Sequence, residues 1–148
     1  MRISQASMAL ITRSGPGDNP RWLAQWNEKW QAFNLVGGHR KSDESSRDCC
    51  VREVVEELRL RPEVDFVVAT EPRVVLRYEA FSRSSQTVTQ YEMTLFEVKL
   101  AMEADAIIDA NLANRWLTTA EIQAEQCHDG KRVSETMARL LRAAGLMG

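Results

Sequence analysis

The chain has 148 residues, 44% of them hydrophobic and 27% charged, and its 19 basic and 21 acidic side chains leave a formal net charge of −2. That length fits one domain spanning residues 1–148, large enough to bury a core without disulfide or metal staples, and the three cysteines show no metal-ligand spacing. The acidic balance argues against nucleic acid as a partner. No apolar run reaches membrane-spanning length and the N-terminus lacks a signal-peptide layout, so no membrane association is expected and the cytoplasm is the expected location.

In chain order, Ile3 to Arg13 is apolar and β-prone, and Ser14 to Pro20 is a loop, SGPGDNP. Trp22, Trp26, Trp30 and Phe33 follow at a spacing that suits one face of a helix. Beyond Gly37 and Gly38, Ser45 with Asp48 three residues later forms a capping-box pattern. Val51, Val54, Val55 and Leu58 then recur at helical spacing, which predicts a helix from about Ser46 to Leu58. On it Glu56 and Glu57 lie three and four positions beyond Glu53, on one face opposite the apolar stripe. Like charges at those separations each cost roughly 0.2–0.5 kcal/mol on an exposed helix, and a hard divalent cation would reverse the sign of that cost. Taken alone, such a triad is an ordinary solvated helix face, with Arg47, Arg52 and Arg59 near enough to neutralise it. Cys49 and Cys50 read as small buried hydrophobes, although Cys49, one turn before Glu53, would lie near any metal bound there.

FVVAT, RVVLRYEAFS and TVTQYEMTLFEVKL are rich in β-branched and aromatic residues and read as strands, with Arg115-Trp116-Leu117 as a last short one. Their aromatics, Tyr78, Phe81 and Tyr91, belong to a half-buried sheet rather than to an evident base-stacking set. Thr118 with Glu121 caps a short helix through Ile122. Cys127-His128-Asp129 is a loop rather than a zinc fragment, and Asp129-Gly130 is a turn signal. Val133, Met137, Leu140, Leu141 and Ala144 form the apolar stripe of a last helix that stops at Gly145.

Gly38, five residues, Glu44, seven residues, then Arg52-Glu53-Val54-Val55-Glu56-Glu57, with apolar Leu60 three further on, resembles the signature of the Nudix hydrolases. That signature is glycine, five residues, glutamate, seven residues, then REUxEExGU with U apolar. Six charged or glycine positions agree, a coincidence on the order of one in 10⁵ for average composition. The motif covers residues 38–60, and weaker resemblance extends over most of the chain. Two positions depart from it. Val36 precedes the glycine pair where the family often has proline, and Arg59 stands where the family usually has glycine. A left-handed Arg59 would bear a strain of about 1 kcal/mol. The expectation is instead that the helix runs one residue further before Arg61 and Pro62 stop it, because Pro62 disfavours helical geometry at Arg61.

The resemblance implies an α/β protein with a Nudix-type α/β/α sandwich, a mixed β-sheet lying between helices. It implies two strands, RWLAQWN and WQAFNLV, joined near Glu28, where periodicity favours a helix. It implies hydrolysis of a diphosphate (pyrophosphate) linkage in a nucleoside diphosphate derivative, with Mg2+ or Mn2+ as cofactor and a small-molecule nucleotide as partner. Glu53, Glu56 and Glu57 match the metal-binding glutamates, and the Gly38 backbone is a further candidate ligand. Arg52 matches a residue that orients those glutamates, and Glu44 one that supports the loop and helix. Gly37 and Gly38 would let the backbone pass close to metal and phosphates. The general base would be Glu53 or Glu56, or an acid on a later loop, Glu103 or Asp105. The alternatives are a catalytically silent nucleotide-binding module and an RNA 5′-end pyrophosphohydrolase, for which Arg73, Arg77 and Arg83 supply a local basic patch. A homodimer is left open.

Overall fold

The computed structural model describes residues 2–147. Strand β1 (Arg2–Leu10) occupies the middle of a five-stranded mixed sheet. It runs parallel to β8 (Thr87–Leu100) and antiparallel to β5 (Gly37–His39). On its other side β8 pairs antiparallel with β6 (Phe66–Val68) and with β7 (Val74–Ser82). A second, four-stranded sheet joins β3 (Pro20–Asn27) to β2 (Thr12–Ser14), β4 (Ala32–Asn34) and β9 (Asn114–Leu117). The helices are α1 (Ser46–Leu58), α2 (Ala104–Ala110), α3 (Thr119–Ala124) and α4 (Glu135–Ala143). None is long and apolar enough to cross a membrane.

Successive residues of β1 feed opposite sides, as the two-residue period of a strand requires. Ala6, Met8 and Leu10 join a core closed by Ile122 of α3 and by Met137, Ala138, Leu140 and Leu141 of α4. Ala9 and Ile11 join a second core closed by Cys50, Val54 and Leu58 of α1 and by Ala104 and Ile108 of α2. Both faces are therefore covered, and the second half of β1 is a continuous buried run rather than an alternating one. The architecture is the α/β sandwich with a mixed sheet that the signature implies.

The tryptophan-rich segment is two strands, not the helix its periodicity suggests. A spacing of four residues satisfies the period of a strand as well as that of a helix, so Trp22 and Trp26 share one face of β3 with Ala24. Trp26 stands opposite Phe33 of β4, ring edge to face at 5.1 Å. The turn between them is built locally. The Trp30 N–H donates to Asn27 Oδ1, the Gln31 side chain donates to the Glu28 carbonyl, and Gln31 has φ 51°.

Helix α1 has the predicted bounds. Ser45 Oγ accepts the Asp48 N–H at 3.0 Å, which is one half of a capping box, whereas Thr118 and Glu121 complete both halves at α3. The helix end corrects the expectation for Arg59. Helical geometry stops at Leu58, and Arg59 takes the left-handed conformation, φ 57° and ψ 38°, while its N–H still donates to the Val55 carbonyl. Here arginine fills the position that glycine fills at least strain. The segment carrying Glu103 and Asp105 also differs from expectation: it is the start of α2 rather than a loop, with Asp105 in the first turn.

Candidate active site

The site begins where β5 meets α1. In the register Met8↔Gly37 and Ser7↔Gly38, β5 lies against β1. A Cβ on Gly37 would stand 2.8 Å from Met8 Cα, and one on Gly38 would stand 2.5 Å from Glu53 Oε1. The first contact is backbone that cannot yield, and the second is the carboxylate itself. Glycine at position 38 thus allows Glu53 to lie directly on the main chain. Ser7 Oγ donates to the Ser46 carbonyl at 2.7 Å and pins the start of α1 to β1.

Glu57 reaches the same place from the last turn of α1, where its Oε2 accepts the Gly37 N–H at 2.8 Å. Its carboxyl is pushed up to about 7, first by burial and then by the charges of Glu53 and Glu56, against the opposing pull of the Gly37 N–H. Glu57 is therefore half-buried, not solvent-facing; of the three glutamates only Glu56 is well exposed, its side chain 55% accessible.

Arg52 organises the acids. Its Nε and Nη2 grip Glu44 at 3.0 and 2.7 Å, Nη1 reaches Glu53 at 3.0 Å and Glu56 at 3.2 Å, and Nη2 also donates to the His39 carbonyl. The forked grip, with the Lys41 N–H on Glu44 Oε1, holds the Glu44 carboxyl down at about 2. Because His39 ends β5 and Lys41 lies in the β5–α1 connection, the Arg52–Glu44 pair fastens that strand end and loop to the helix. Among the described residues only Arg52, of the three arginines near the triad, pairs with it. Arg47 instead donates to the Val68 and Ala69 carbonyls and ties α1 to β6.

Around this centre Gln25 is a residue that sequence reasoning missed. Its side chain donates at 2.9 Å both to the Glu57 carbonyl and to Asn114 Oδ1, satisfying a helix-terminal carbonyl from β3 and β9. No local motif marks it, since the contact joins segments far apart in sequence. Glu103 caps α2 without a side-chain cap bond, is exposed, and makes no ion pair with the signature acids. Cys49 and Cys50 are buried. Their thiols donate toward the Gly38 and Met8 carbonyls, and burial raises both, Cys50 to about 12. Buried and held above the ordinary thiol range, they serve as packing groups. The basic patch is largely neutralised: Arg73 pairs with Glu97 at 2.6 Å and Arg77 with Glu92 at 3.0 Å.

Among the described residues no three His, Cys, Asp or Glu side chains already stand as a ligand set for a metal ion. Arg52 holds Glu53 and Glu56, and Glu57 is turned to Gly37. The donors are nonetheless hard carboxylate oxygens, and one of them, Glu57, carries a pKa raised by burial and by the charges of Glu53 and Glu56. Such a set suits a hard divalent cation.

The NUDIX domain family matches residues 4–139. No curated protein matches the chain. Solved structures share its fold at low identity. An Ap4A hydrolase from C. elegans is 15% identical, with TM-score 0.58 over 97% of this chain and 96% of its own. A Nudix hydrolase from M. smegmatis, RenU, is 17% identical, with TM-score 0.56 over 93% and 83%. The NUDIX domain of Shewanella oneidensis NrtR, solved with ADP ribose, is 13% identical, with TM-score 0.58 over 98% and 87%. Nudix hydrolases in general use divalent metal ions. With the family matched across nearly the whole chain and the signature glutamates gathered on the β5 glycines, the chain belongs to the NUDIX domain family and is a Nudix pyrophosphohydrolase.

Proposed function

We propose that the protein hydrolyses the diphosphate linkage of a nucleoside diphosphate derivative, with Mg2+ or Mn2+ held by Glu53, Glu56 and Glu57. One observation carries this reading: Glu53 and Glu57, four residues apart on α1, both rest on the Gly37–Gly38 backbone, where the absence of a side chain on Gly38 leaves room for the Glu53 carboxylate. Bound there, the cation would offset charge developing on phosphate oxygens and lower the pKa of a water. The chain's own residues supply positioning, which with electrostatics makes up most of phosphoryl-transfer catalysis. Arg52 gathers Glu53 and Glu56 and is itself held by Glu44, and a bound cation would exchange the Arg52 bonds of those two carboxylates for its own. The base that activates water is assigned to a signature glutamate, Glu53 or Glu56, rather than to Glu103, which no bond ties to the site. Arg73 and Arg77 spend their charge on Glu97 and Glu92, which favours a small nucleotide over an RNA end.

The test is a phosphate-release screen with Mg2+ and with Mn2+ over nucleoside triphosphates, nucleotide sugars, dinucleoside polyphosphates and ADP-ribose. Metal-dependent turnover of at least one class is expected. Nucleotide binding without turnover under either metal would instead identify a silent binding module.

A further inference from the structure

Strand β7 forms a long free edge of the five-stranded sheet. It pairs with β8 over nine uninterrupted positions, from Val74↔Leu95 to Ser82↔Thr87, and among the described residues no strand lies on its other side. Along about 30 Å of backbone, alternate N–H and C=O groups therefore point outward without a ladder partner. The other marginal strands, β5 and β6, have only three residues each. Long edges are ordinarily blunted by lysine, proline or a bulge, and β7, VVLRYEAFS, has none of these.

The side chains of β7 fit a second β7 running the other way. A two-fold axis through Tyr78, normal to the sheet, sets the whole strand of one copy against the whole strand of another. Val74 then stands opposite Ser82, Val75 opposite Phe81, Leu76 opposite Ala80, Arg77 opposite Glu79, and Tyr78 opposite its own counterpart. On the α1 side of the sheet the row Val75, Arg77, Glu79, Phe81 reads apolar, basic, acidic, apolar, which is its own complement when reversed. On the α4 side a larger side chain meets a smaller one, Val74 with Ser82 and Leu76 with Ala80. Moving the axis by one residue puts Arg77 opposite Arg77 or Glu79 opposite Glu79, and like charges directly opposite resist pairing. Full length and charge select the same register.

In a single copy these groups are incompletely partnered. Glu79 is exposed and makes no ion pair among the described residues. Arg77 meets Glu92 through Nε at 3.0 Å with 60% of its side chain in solvent, a position from which its Nη groups can reach a second carboxylate. Phe81 is 60% exposed, and Val88 opposite it on β8 is 45% exposed. Helix α4 sends Met137, Leu140 and Leu141 into the core and leaves Glu135 and Arg142 exposed, so the outer helix face carries both signs of charge and sets no single-sign field against a second copy. We propose that β7 is a homodimer interface, at which two copies join edge to edge into one continuous sheet with Arg77 of each paired to Glu79 of the other. Because the axis is normal to the sheet, both α1 glutamate clusters face the same side of the dimer. This interface is independent of the reaction carried out at those clusters.

The test reverses the charges one at a time and then together. Sedimentation equilibrium of the wild type between about 1 μM and 1 mM should show the mass rising from one chain toward two. Arg77→Glu and Glu79→Arg each place like charges opposite one another across the axis and should weaken self-association about tenfold or more. Glu79→Arg breaks no ion pair of the single copy, so it keeps the test decisive if Arg77→Glu, which loses Glu92, melts early. Mixed in equal amounts the two variants become complementary, two acidic positions on one copy facing two basic positions on the other, and should associate as a heterodimer about as tightly as wild type. Amide exchange at alternate residues of β7 should also slow as wild-type concentration rises. A wild type that stays monomeric throughout, a folded Glu79→Arg that self-associates like wild type, or a mixture of folded variants that fails to associate would each overturn the interface, and the hydrolase reading would stand unaffected.

Discussion

Glu57 shows how much a single side chain's surroundings matter. The sequence places it on a helix face with Glu53 and Glu56, but half-burial against Gly37 raises its carboxyl to about 7, whereas Glu56 stays in solvent. Glu56→Gln and Glu57→Gln are each expected to lower turnover by about a hundredfold or more, the range seen when charge-positioning groups are lost. Neither should lower Tm, and Glu57→Gln should raise it at neutral pH, since an ionised Glu57 is less favourable in the folded state than in water. Near-normal rates in either variant would remove that residue from the machinery. Asp65 shows the opposite balance. It is buried, accepts the Arg61 N–H at 2.7 Å and the Arg61 side chain at 3.1 Å, and these bonds lower its pKa. Such a group stabilises the fold above its unfolded pKa of about 3.9, and the contribution disappears as pH falls through the lower folded value. Asp65→Asn should therefore melt below wild type at about pH 7, with the two Tm values converging as pH falls below the unfolded value of about 3.9. A constant gap across that range would refute the linkage.

At the scale of elements, α1 is the part most fully legible in the sequence. Its cap, apolar stripe and glutamate face are all local, and the predicted bounds match the structure. Its C-terminus is not local. Gln25 donates to the Glu57 carbonyl, and the Arg61–Asp65 turn begins three residues past Leu58, so the chain must reverse at Arg59 whatever residue stands there. Arg59→Gly should relieve the left-handed strain and stabilise the protein by about 0.5–1 kcal/mol, raising Tm by about 2–4 °C. A Tm at or below wild type would show that the arginine side chain compensates for its backbone. The tryptophan segment was legible as two strands only through the family resemblance, and α2 not at all, for different reasons. Four-residue spacing fits helix and strand alike, so cross-strand pairing with Phe33 decides the first. In α2 only Ala104 and Ile108 are buried, too short a stripe to announce a helix.

For the whole molecule, the two cores lie on opposite sides of β1 and are coupled through it. If residues 1–148 form one cooperative domain, a cavity on either side must weaken the same transition. Leu58→Ala in one core and Leu141→Ala in the other should each cost about 2–5 kcal/mol, and calorimetry should show a single transition with equal calorimetric and van't Hoff enthalpies. Two separable transitions in either variant would divide the chain.

The sequence by itself determined the family, the reaction class and the helix that presents Glu53, Glu56 and Glu57, because spacing within one helix fixes which side chains share a face. It also singled out Arg52 and Glu44, because both belong to the signature, but not that they pair. Only the tertiary structure decided what those residues meet. The β1–β5 register places the glycines under Glu53 and Glu57, α1 burial separates the surroundings of Glu56 and Glu57, and the β7–β8 register stacks Tyr78 on Tyr91 beside α4. Each of these depends on contacts between segments distant in sequence, where no local period or cap leaves a trace.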